Sequence, residues 1–302
     1  MGAIPRIDYA PCEPRENPCT TREKSGVRAL ASSPSTPRSA GLRDGSHLTK
    51  LAPVQPYEPT TLPDRITTSV LATAKIPQQT WDEIWTLTAE FFDVERDFAE
   101  AELRKRQSIA MFRMNGVLLG MAAIDIYPVK FHGRRLAIIS TTHVLIRENW
   151  RGRNLIQKLG LGMFLRARLR YPLRPIYWFF DTFSYKSYLL LPRNFQTYWP
   201  RYDQPTPEAR TALMDQLATQ TYGPAWRPAR GLVVRSGQKR LRETAAPLVL
   251  RPDAGPDLQF FARMNPGHAE GDMLVCLCPL TLSNWLSLAR RALQRRARHQ
   301  PH

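Results

Sequence analysis

A strand, a turn, a helix and a second strand follow one another between residues 135 and 183, and this order constrains the fold most. The β-branched, apolar run RLAIISTTHVLIREN predicts a long strand. After a turn with two arginines around a glycine, LIQKLGLGMFLRARLRY predicts an amphipathic helix closed by Pro172, and PIYWFFDTF predicts a short buried strand. A strand–helix–strand unit of this kind predicts a parallel crossover and therefore an α/β fold.

The segments before this unit predict two helices and a hairpin. The segment TWDEIWTLTAEFF starts with Thr80 as the expected N-cap, and Glu83 three residues later would complete a capping box. A second helix, ERDFAEAELRKRQ, follows it. The stretch SIAMFRMNGVLLGMAAIDIYP then predicts two strands joined at Asn115–Gly116, a dipeptide that tight hairpins prefer.

The segments after the unit predict helices and a closing hairpin. The helix YKSYLLLPRNFQTYW should end or bend at Pro192, and PEARTALMDQLATQTYG should end with Gly223 as its C-cap. The segments DLQFFARM and DMLVCLCPL are expected to pair as a hairpin, and a basic amphipathic helix should start near Ser283. The whole order predicts a mixed, mostly antiparallel sheet flanked by helices.

Composition divides the chain into an arm and a domain. Residues 1–65 are rich in Pro, Ser, Thr and Arg, which predicts a disordered arm. Residues 66–302 are expected to form one domain. Its predicted parts are a core at 70–200, an insertion at 206–255, and the closing hairpin with the basic C-terminal helix at 256–302.

The formal net charge of +17 predicts an attraction for anions such as nucleic acid, acidic membrane surfaces, phosphorylated cofactors or an acidic protein. The positive charge gathers at 147–174, at 227–251 and in the final helix, whose arginines are Arg290, Arg291, Arg295, Arg296 and Arg298. The spacing of His and Cys does not suggest a zinc site, so no metal is expected. No apolar run approaches the roughly 18 residues of a membrane span, and without a signal-peptide core we expect a cytoplasmic protein.

The element order, with Arg151-Gly152-Arg153 between the long strand and the helix, resembles the GNAT superfamily of acyl-CoA N-acyltransferases. The resemblance covers about residues 70–200 and implies a GNAT-like fold. In that family a Gln/Arg-x-x-Gly-x-Gly/Ala turn presents backbone N–H groups to the pyrophosphate of coenzyme A, because a helix N-terminus attracts anions. The resemblance therefore implies acyl-CoA or acetyl-CoA as the donor.

The residues that the resemblance assigns to the donor lie at the turn and on the long strand. Arg151 occupies the Gln/Arg position, whereas Asn154 stands where the first motif glycine belongs and Ile156 where the second small residue belongs. Asn tolerates unusual backbone angles, but Ile is bulky and β-branched. The expected donor-binding residues are Leu145, Arg151, Gly152, Arg153, Asn154, Leu155 and Ile156.

Family members carry a tyrosine, on the helix after the short strand, that protonates the departing thiolate. Tyr188 is the first candidate for this role and Tyr185 the second, with aromatic packing as the alternative for each. The amine must also lose a proton, and the candidate bases on the central strands are His143, Glu148 and Asp125. The alternatives are a structural histidine, a helix-dipole partner and a solvent-facing strand residue, respectively.

The sequence thus predicts an N-acyltransferase that moves an acyl group from a thioester to the amine of a small molecule or protein by direct attack. Residues 206–255 are expected to shape the acceptor site. An acidic acyl carrier protein is a second possible donor, because the basic clusters would attract it and it lacks the pyrophosphate that the turn would hold. Two further alternatives stay open, a non-catalytic GNAT-like binding protein and a basic nucleic-acid-binding protein.

Overall fold

The computed structural model describes residues 65–235, 237–242 and 255–298, and the side chains of 295–298 are not among the described ones. All but the last residue of the predicted arm lies outside these ranges, so its disorder stays a prediction. Residues 243–254 of the predicted insertion also lie outside them. No helix in the described ranges has the length and apolar character needed to cross a membrane.

Helices and strands alternate in the order that the sequence predicts for most of the chain. The helices are α1 (Gln78–Phe91), α2 (Arg96–Arg104), α3 (Leu155–Arg170), α4 (Tyr185–Tyr188), α5 (Leu190–Asn194), α6 (Glu208–Tyr222), α7 (Pro256–Met264) and α8 (Leu282–Arg298). The strands are β1 (Thr67–Ala72), β2 (Phe92–Asp93), β3 (Ser108–Met114), β4 (Val117–Phe131), β5 (Arg134–Ile146), β6 (Ile176–Thr182), β7 (Trp226–Arg227), β8 (Leu232–Val233), β9 (Arg240–Leu241) and β10 (Met273–Pro279).

The main sheet is mixed and mostly antiparallel, which confirms the predicted fold class. Its strand order is β1-β3-β4-β5-β6-β10-β8-β7, and the pair β5–β6 is parallel while the other neighbours are antiparallel. The parallel pair is joined through α3, as the predicted crossover requires. The short strands β2 and β9 pair with each other outside this sheet.

Helices cover both faces of the sheet. On one face the buried side chains of α3, α5 and α7 pack against Phe180 and Cys276, with Leu288 of α8 at the edge of the cluster. On the other face α6 packs on Ile138 and Phe179, and α1 and α2 pack on the β3–β4–β5 part of the sheet. Burial of these apolar surfaces drives the two-sided architecture.

Two tight turns set the register of the antiparallel strands β3, β4 and β5. Asn115 and Gly116 have φ values of 49° and 83°, and the strands they join pair from Met114 and Val117 onward. Positive φ at both positions is what a type I′ hairpin needs, so the predicted hairpin is confirmed. His132–Gly133, with φ values of 43° and 75°, forms a second such turn that the sequence analysis did not predict.

The predicted capping box of α1 is wrong. The helix begins at Gln78, with Pro77 in the N-cap position, and no side chain caps it. Thr80 therefore lies inside the first turn, where its N–H donates to the carbonyl of Pro77. Glu83 instead forms an ion pair with Arg113 on β3, which holds the helix against the sheet.

The predicted strand DLQFFARM is also wrong, because this segment forms α7. Proline at position 256 begins the helix and Asp257 lies in its first turn, both of which favour a helix N-terminus. Phe260 and Phe261 are buried against the sheet. The strand β10 consequently pairs with β6 and β8 rather than with a hairpin partner.

The helix around Pro192 is divided into α4 and α5 at Leu189. Proline has no N–H to donate to the carbonyl four residues earlier, at Tyr188, so the helix cannot continue regularly through this point. This agrees with the expected end or bend.

The parallel pairing of β5 and β6 ends early. It joins Ala137–Thr141 to Ile176–Phe180, and beyond these residues the two strands no longer pair. At the same level β5 has an irregularity in its pairing with β4, and His143 has a φ of 50°. A bulge of this kind bends a strand away from its neighbour, so a gap opens in the middle of the sheet.

Asn284 in the first turn of α8 ties the C-terminal helix to the segment after α5. Its side-chain oxygen accepts the N–H groups of Gln196 and Thr197 at 3.0 and 2.9 Å. Its amide nitrogen donates to the carbonyls of Thr197 and Pro279 at 2.8 and 2.7 Å. The side chain of Asn284 is fully buried, so these four hydrogen bonds are all made within the protein.

We expect Asn284→Ala to lower the free energy of unfolding by about 2 to 5 kcal/mol, because it removes four hydrogen bonds of a fully buried side chain and leaves the buried carbonyl of Pro279 without that partner. Denaturant unfolding followed by circular dichroism measures the change. The neighbouring exposed Ser283→Ala is the control and should stay within about 0.5 kcal/mol of the wild type. An equal effect of the two substitutions would contradict the role given to Asn284.

Candidate active site

A cavity of about 650 Å³ lies where β5 and β6 separate. The ends of the two strands contribute His143 and Asp181 to its wall, and the turn before α3 contributes residues 150–156. The cavity is lined on one side by α3, α5 and α8 and on the other by residues of α1, α2 and α6. It therefore connects the two faces of the sheet through the gap.

The turn before α3 presents backbone donors to this cavity. Gly152 and Asn154 have φ values of 80° and 56°, so both adopt the left-handed conformation. Within the described part of the chain, no acceptor lies against the N–H groups of residues 152–157. These free donors and the positive end of the helix dipole favour an anion at this position. Asn154 thus adopts the backbone conformation that glycine would supply.

The arginines of the turn are held by neighbouring groups. The Nε atom of Arg151 donates to the carbonyl of Ile146 at 3.1 Å, and its Nη1 atom donates to Glu148 at 3.1 Å. The guanidinium of Arg153 lies 4.4 Å from the centre of the Trp150 ring. Arg151 therefore ties the turn to the end of β5, while Arg153 is a cation stacked at the cavity wall.

An apolar wall continues from the turn along α3. Ile156 and Gly160 line the cavity on this helix, and a side chain at Gly160 would meet no atom within 4 Å. Trp178 and Phe180 line the cavity from β6, and Trp285 lines it from α8. The space beside Gly160 is open enough for a ligand to run along the helix toward the gap between the strands.

His143, at the bulge of β5, lies in the cavity wall with the buried Leu145 two residues later. Its Nδ1 atom is 3.2 Å from Oγ1 of Thr142. Burial lowers the pKa of His143 well below its usual range, and the nearby positive charges of Lys239, Arg106 and Arg235 lower it further. The imidazole is therefore neutral at pH 7.

A polar cluster lines the cavity on the α6 side of the sheet. Asp181 lies on this side because Phe179 of the same strand packs there and side chains alternate along a strand. The phenol of Tyr222 hydrogen-bonds the Asp181 carboxylate, and burial followed by the charge of Asp181 raises the pKa of Tyr222. The remaining charged members are Glu102, Arg106, Arg235 and Lys239.

Lys239 enters the cluster from the segment that follows the short strands β7 and β8. Its Nζ atom lies 3.9 Å from the centre of the Phe92 ring. The pairing of β9 with β2 fixes the next two residues, and a side chain at Gly271 would come within 1.9 Å of the carbonyl oxygen of Lys239. Burial lowers the pKa of Lys239 to about 7, although the carboxylate of Asp181 acts in the opposite direction.

The structure does not bring the predicted tyrosines to this cavity. Tyr188 is fully buried, donates to the carbonyl of Pro200 at 3.2 Å and packs against Phe260 and Phe261 of α7. Burial also raises the pKa of the Tyr188 hydroxyl well above its usual value. Tyr185 packs at the edge of the same apolar cluster. Neither tyrosine lines the cavity, and both pack among apolar side chains.

Two of the three predicted bases also lie outside the cavity wall. Glu148 is largely exposed and pairs with Arg151 at 3.1 Å and with Lys186 at 3.7 Å. Asp125 is buried, pairs with Arg106 at 3.2 Å and accepts the N–H of Gln107 at 2.6 Å. Both carboxylates are occupied by partners within the protein, so only His143 among the predicted bases lines the cavity.

Sequence patterns did not identify the residues of the polar cluster. Asp181 had a signal, because a carboxylate interrupts the apolar strand PIYWFFDTF and a buried strand rarely carries one without a reason. Tyr222, Arg235 and Lys239 belong to residues 206–255, the segment expected to shape the acceptor site. Their individual positions had no motif that could have identified them.

No family model matches this sequence. No curated protein matches it either. Among solved structures, the fold is similar to a probable N-acyltransferase from Enterococcus faecalis, with 17% identity over 46% of this chain and 37% of that chain and a TM-score of 0.33. The chain thus spans little more than a third of that protein.

Two further solved structures are similar. An acyl-CoA N-acyltransferase from Pseudomonas aeruginosa shares 19% identity over 38% of this chain and 79% of that chain, with a TM-score of 0.30. A GNAT family N-acetyltransferase from Escherichia coli in complex with CoA shares 18% identity over 41% of this chain and 66% of that chain, with a TM-score of 0.30.

Lys239 should make the stability of the fold depend on pH. Its pKa is about 7 in the folded chain and 10.5 in the absence of burial. Between these values the unfolded chain binds more protons than the folded one, so the free energy of unfolding gains a contribution that rises with pH. Below pH 7 both states are protonated, and the full cost of burying the charge is present.

We therefore expect Lys239→Met to stabilise the fold most at pH 6 to 7, with the advantage declining toward pH 10. The slope of the difference should not exceed about 1.4 kcal/mol per pH unit. Urea unfolding of both proteins at several pH values measures it, and Lys130→Met, on the exposed end of β4, is the matched control. A stability difference that is constant from pH 6 to 10 would show that Lys239 has an ordinary pKa.

Proposed function

We propose that this protein transfers an acyl group from a coenzyme A thioester to an amine by direct attack in the cavity. The observation that carries the proposal is the continuity of the cavity through the gap between β5 and β6. It joins an anion-binding helix terminus on one side to a polar cluster on the other. A thioester donor and an amine acceptor could therefore approach the same point from opposite sides.

The donor side fits a phosphorylated carrier. The free N–H groups of residues 152–157 would hold the pyrophosphate, and the stacked cation of Arg153 adds positive charge beside them. The apolar wall along α3 would accommodate the pantetheine arm, with the open space at Gly160 giving close access to the helix. Ile156 is half-buried at the edge of the apolar cluster, so its bulk is partly directed away from the turn.

On the acceptor side, Asp181 is the group best placed to take the proton of the ammonium. Its Oδ1 atom is buried and accepts no hydrogen bond among the described residues. The neutral amine would then attack the thioester carbonyl carbon, the carbon–sulfur bond would break, and the departing thiolate would take up the second amine proton. The net reaction forms an amide and a thiol and releases the proton that Asp181 received.

His143 is neutral in this arrangement, since burial lowers its pKa well below the usual value. The positive charges of Lys239, Arg106 and Arg235 oppose its protonation. His143 lies at the bulge, beside the point where the strands part. An uncharged imidazole there would hydrogen-bond a ligand near the thioester carbonyl. We therefore propose a positioning role for His143 and the proton-accepting role for Asp181.

We expect Asp181→Asn to lower kcat for amine acylation by about a hundredfold, because the amide cannot accept the proton. Release of free thiol from acetyl-CoA in the presence of an amine measures turnover, and calorimetry measures acetyl-CoA affinity, which should change little. The matched control is Asp203→Asn, whose carboxylate pairs with Arg201 outside the cavity wall. Unchanged turnover of Asp181→Asn would exclude this carboxylate as the base.

We expect Arg151→Ala to weaken acetyl-CoA binding about tenfold or more, because the turn loses the hydrogen bond that ties it to Ile146 and a nearby positive charge. Lys158→Ala is the matched control, since Lys158 is exposed one turn into α3 and outside the cavity wall. Calorimetric titration with acetyl-CoA compares the two variants. Equal affinities would contradict the assignment of residues 151–156 to the donor.

The same experiments separate the proposed enzyme from a protein that only binds the thioester. A non-catalytic protein would bind acetyl-CoA with dependence on Arg151 but release no thiol in the presence of any amine.

An acyl carrier protein delivers the same pantetheine arm as coenzyme A. Turnover with that donor but not with acetyl-CoA would identify the carrier protein as the physiological donor.

A further inference from the structure

We propose that the acceptor is a zwitterion, an α-amino acid with an apolar or aromatic side chain, whose ammonium lies against Asp181 and whose carboxylate lies toward Lys239 and Arg106. The acylation of this amino acid rests on the proposed function. The recognition of the zwitterion rests on the polar cluster itself and can be tested separately.

In the polar cluster, one negatively charged and one positively charged side chain have no ion-pair partner among the described residues. Arg235 pairs with Glu102 at 3.1 Å, and Arg106 pairs with Asp125 at 3.2 Å. No ion pair within the described ranges involves Asp181 or Lys239. These two residues come from different elements and line the same cavity, yet they do not pair with each other. The space between them is therefore bounded by a negative group and a positive group.

Two buried polar atoms of residues that line this cavity lack partners and have opposite hydrogen-bonding character. The Oδ1 atom of Asp181 is an acceptor without a donor, and the Nε atom of Arg106 is a donor without an acceptor. Buried groups of this kind destabilise a fold unless another molecule satisfies them. A ligand that carries an ammonium and a carboxylate would satisfy both at once.

The position of the charges also suits the reaction. Asp181 lies near the end of β6, next to the gap through which the donor side is reached, so an ammonium held there is the group closest to the thioester. Lys239 comes from the segment after β8 and lines the same cavity, so it would hold the carboxylate of the bound zwitterion. The aromatic rings of Phe91, Phe92, Phe98 and Phe183 line the same cavity and would receive an apolar side chain.

Binding of a carboxylate should change the charge state of Lys239. Its pKa of about 7 reflects burial first, and a carboxylate nearby would favour the protonated amine. The charged or titratable groups that face it are Asp181 on β6, Glu102 on α2, His143 on β5, and Arg106 and Arg235. The arginines stay protonated and His143 stays neutral, so proton uptake near pH 8 would report mainly on Lys239.

The first experiment compares phenylalanine with phenethylamine, which has the same ring and amine but no carboxylate, using acetyl-CoA and the full-length protein. We expect kcat/KM to be about tenfold or more higher for phenylalanine. In Lys239→Met this preference should shrink mainly through a higher KM for phenylalanine, and Lys130→Met should retain the wild-type preference. Equal kcat/KM values for the two amines in the wild type would overturn the proposal while leaving acyl transfer intact.

The second experiment measures binding without a donor, so that it does not depend on catalysis. Phenylalanine is titrated by calorimetry at pH 8 in two buffers with different ionisation enthalpies. We expect binding with proton uptake in the wild type and weaker binding without uptake in Lys239→Met. 3-Phenylpropionate lacks the amine and should bind the wild type more weakly than phenylalanine does. In Asp181→Asn the two ligands should bind with equal affinity.

The two experiments distinguish the proposals. Phenylalanine binding that depends on Lys239, without acylation of any amine, would support the zwitterion site and overturn the proposed transfer. Acylation of amines without detectable phenylalanine binding, or binding that Lys239→Met does not alter, would overturn the zwitterion site.

Discussion

The parting of β5 and β6 is the constraint on which the rest of the site depends. Backbone pairing across the sheet normally leaves no passage from one face to the other, because neighbouring strands are hydrogen-bonded along their length. Here the pairing stops after Thr141 and Phe180, and the bulge at His143 directs β5 away from its neighbour. Side chains at the two strand ends then line a cavity instead of a core, and both faces of the sheet gain access to one point.

The crossover connection places the helix terminus at that same point. Since β5 and β6 are parallel, the chain must return along α3, and the N-terminus of α3 follows directly from the end of β5. The free N–H groups of the turn are therefore a consequence of topology, and the sequence needs only residues that permit the left-handed backbone. Gly152 and Asn154 do so, which is why the turn forms with asparagine rather than glycine at position 154.

Sequence patterns predicted the parts of this arrangement that depend on neighbouring residues. The turn at Asn115–Gly116, the strand–helix–strand unit and the helix break near Pro192 are all set by local backbone preferences, and they form as expected. The segment DLQFFARM was misjudged because a short apolar run fits a strand or a buried helix equally well. The capping box failed because Pro77 starts the helix before Thr80 can cap it.

The polar cluster shows why the site itself was harder to predict. Asp181, Tyr222 and Lys239 are far apart in sequence and meet only because the segment after α6 folds back across the gap, so no spacing rule connects them. Their chemistry also depends on that meeting. The global charge of +17 suggests a surface for anions, yet in the polar cluster Arg106 pairs with Asp125 outside the cavity wall and Arg235 pairs with Glu102. Asp181 and Lys239, of opposite charge, line the cavity beside them.

That local balance bears on the acceptor side of the cavity alone. A nucleic acid or an acidic protein surface would meet the exposed arginines outside, whereas the polar cluster, with its near-equal opposite charges, disfavours an acceptor with a large net charge. Asp181 and Lys239 do not pair with each other. A zwitterionic ligand would satisfy both charges with the smallest loss of solvation. The electrostatics of the polar cluster therefore select for the internal charge distribution of the acceptor rather than for its net charge.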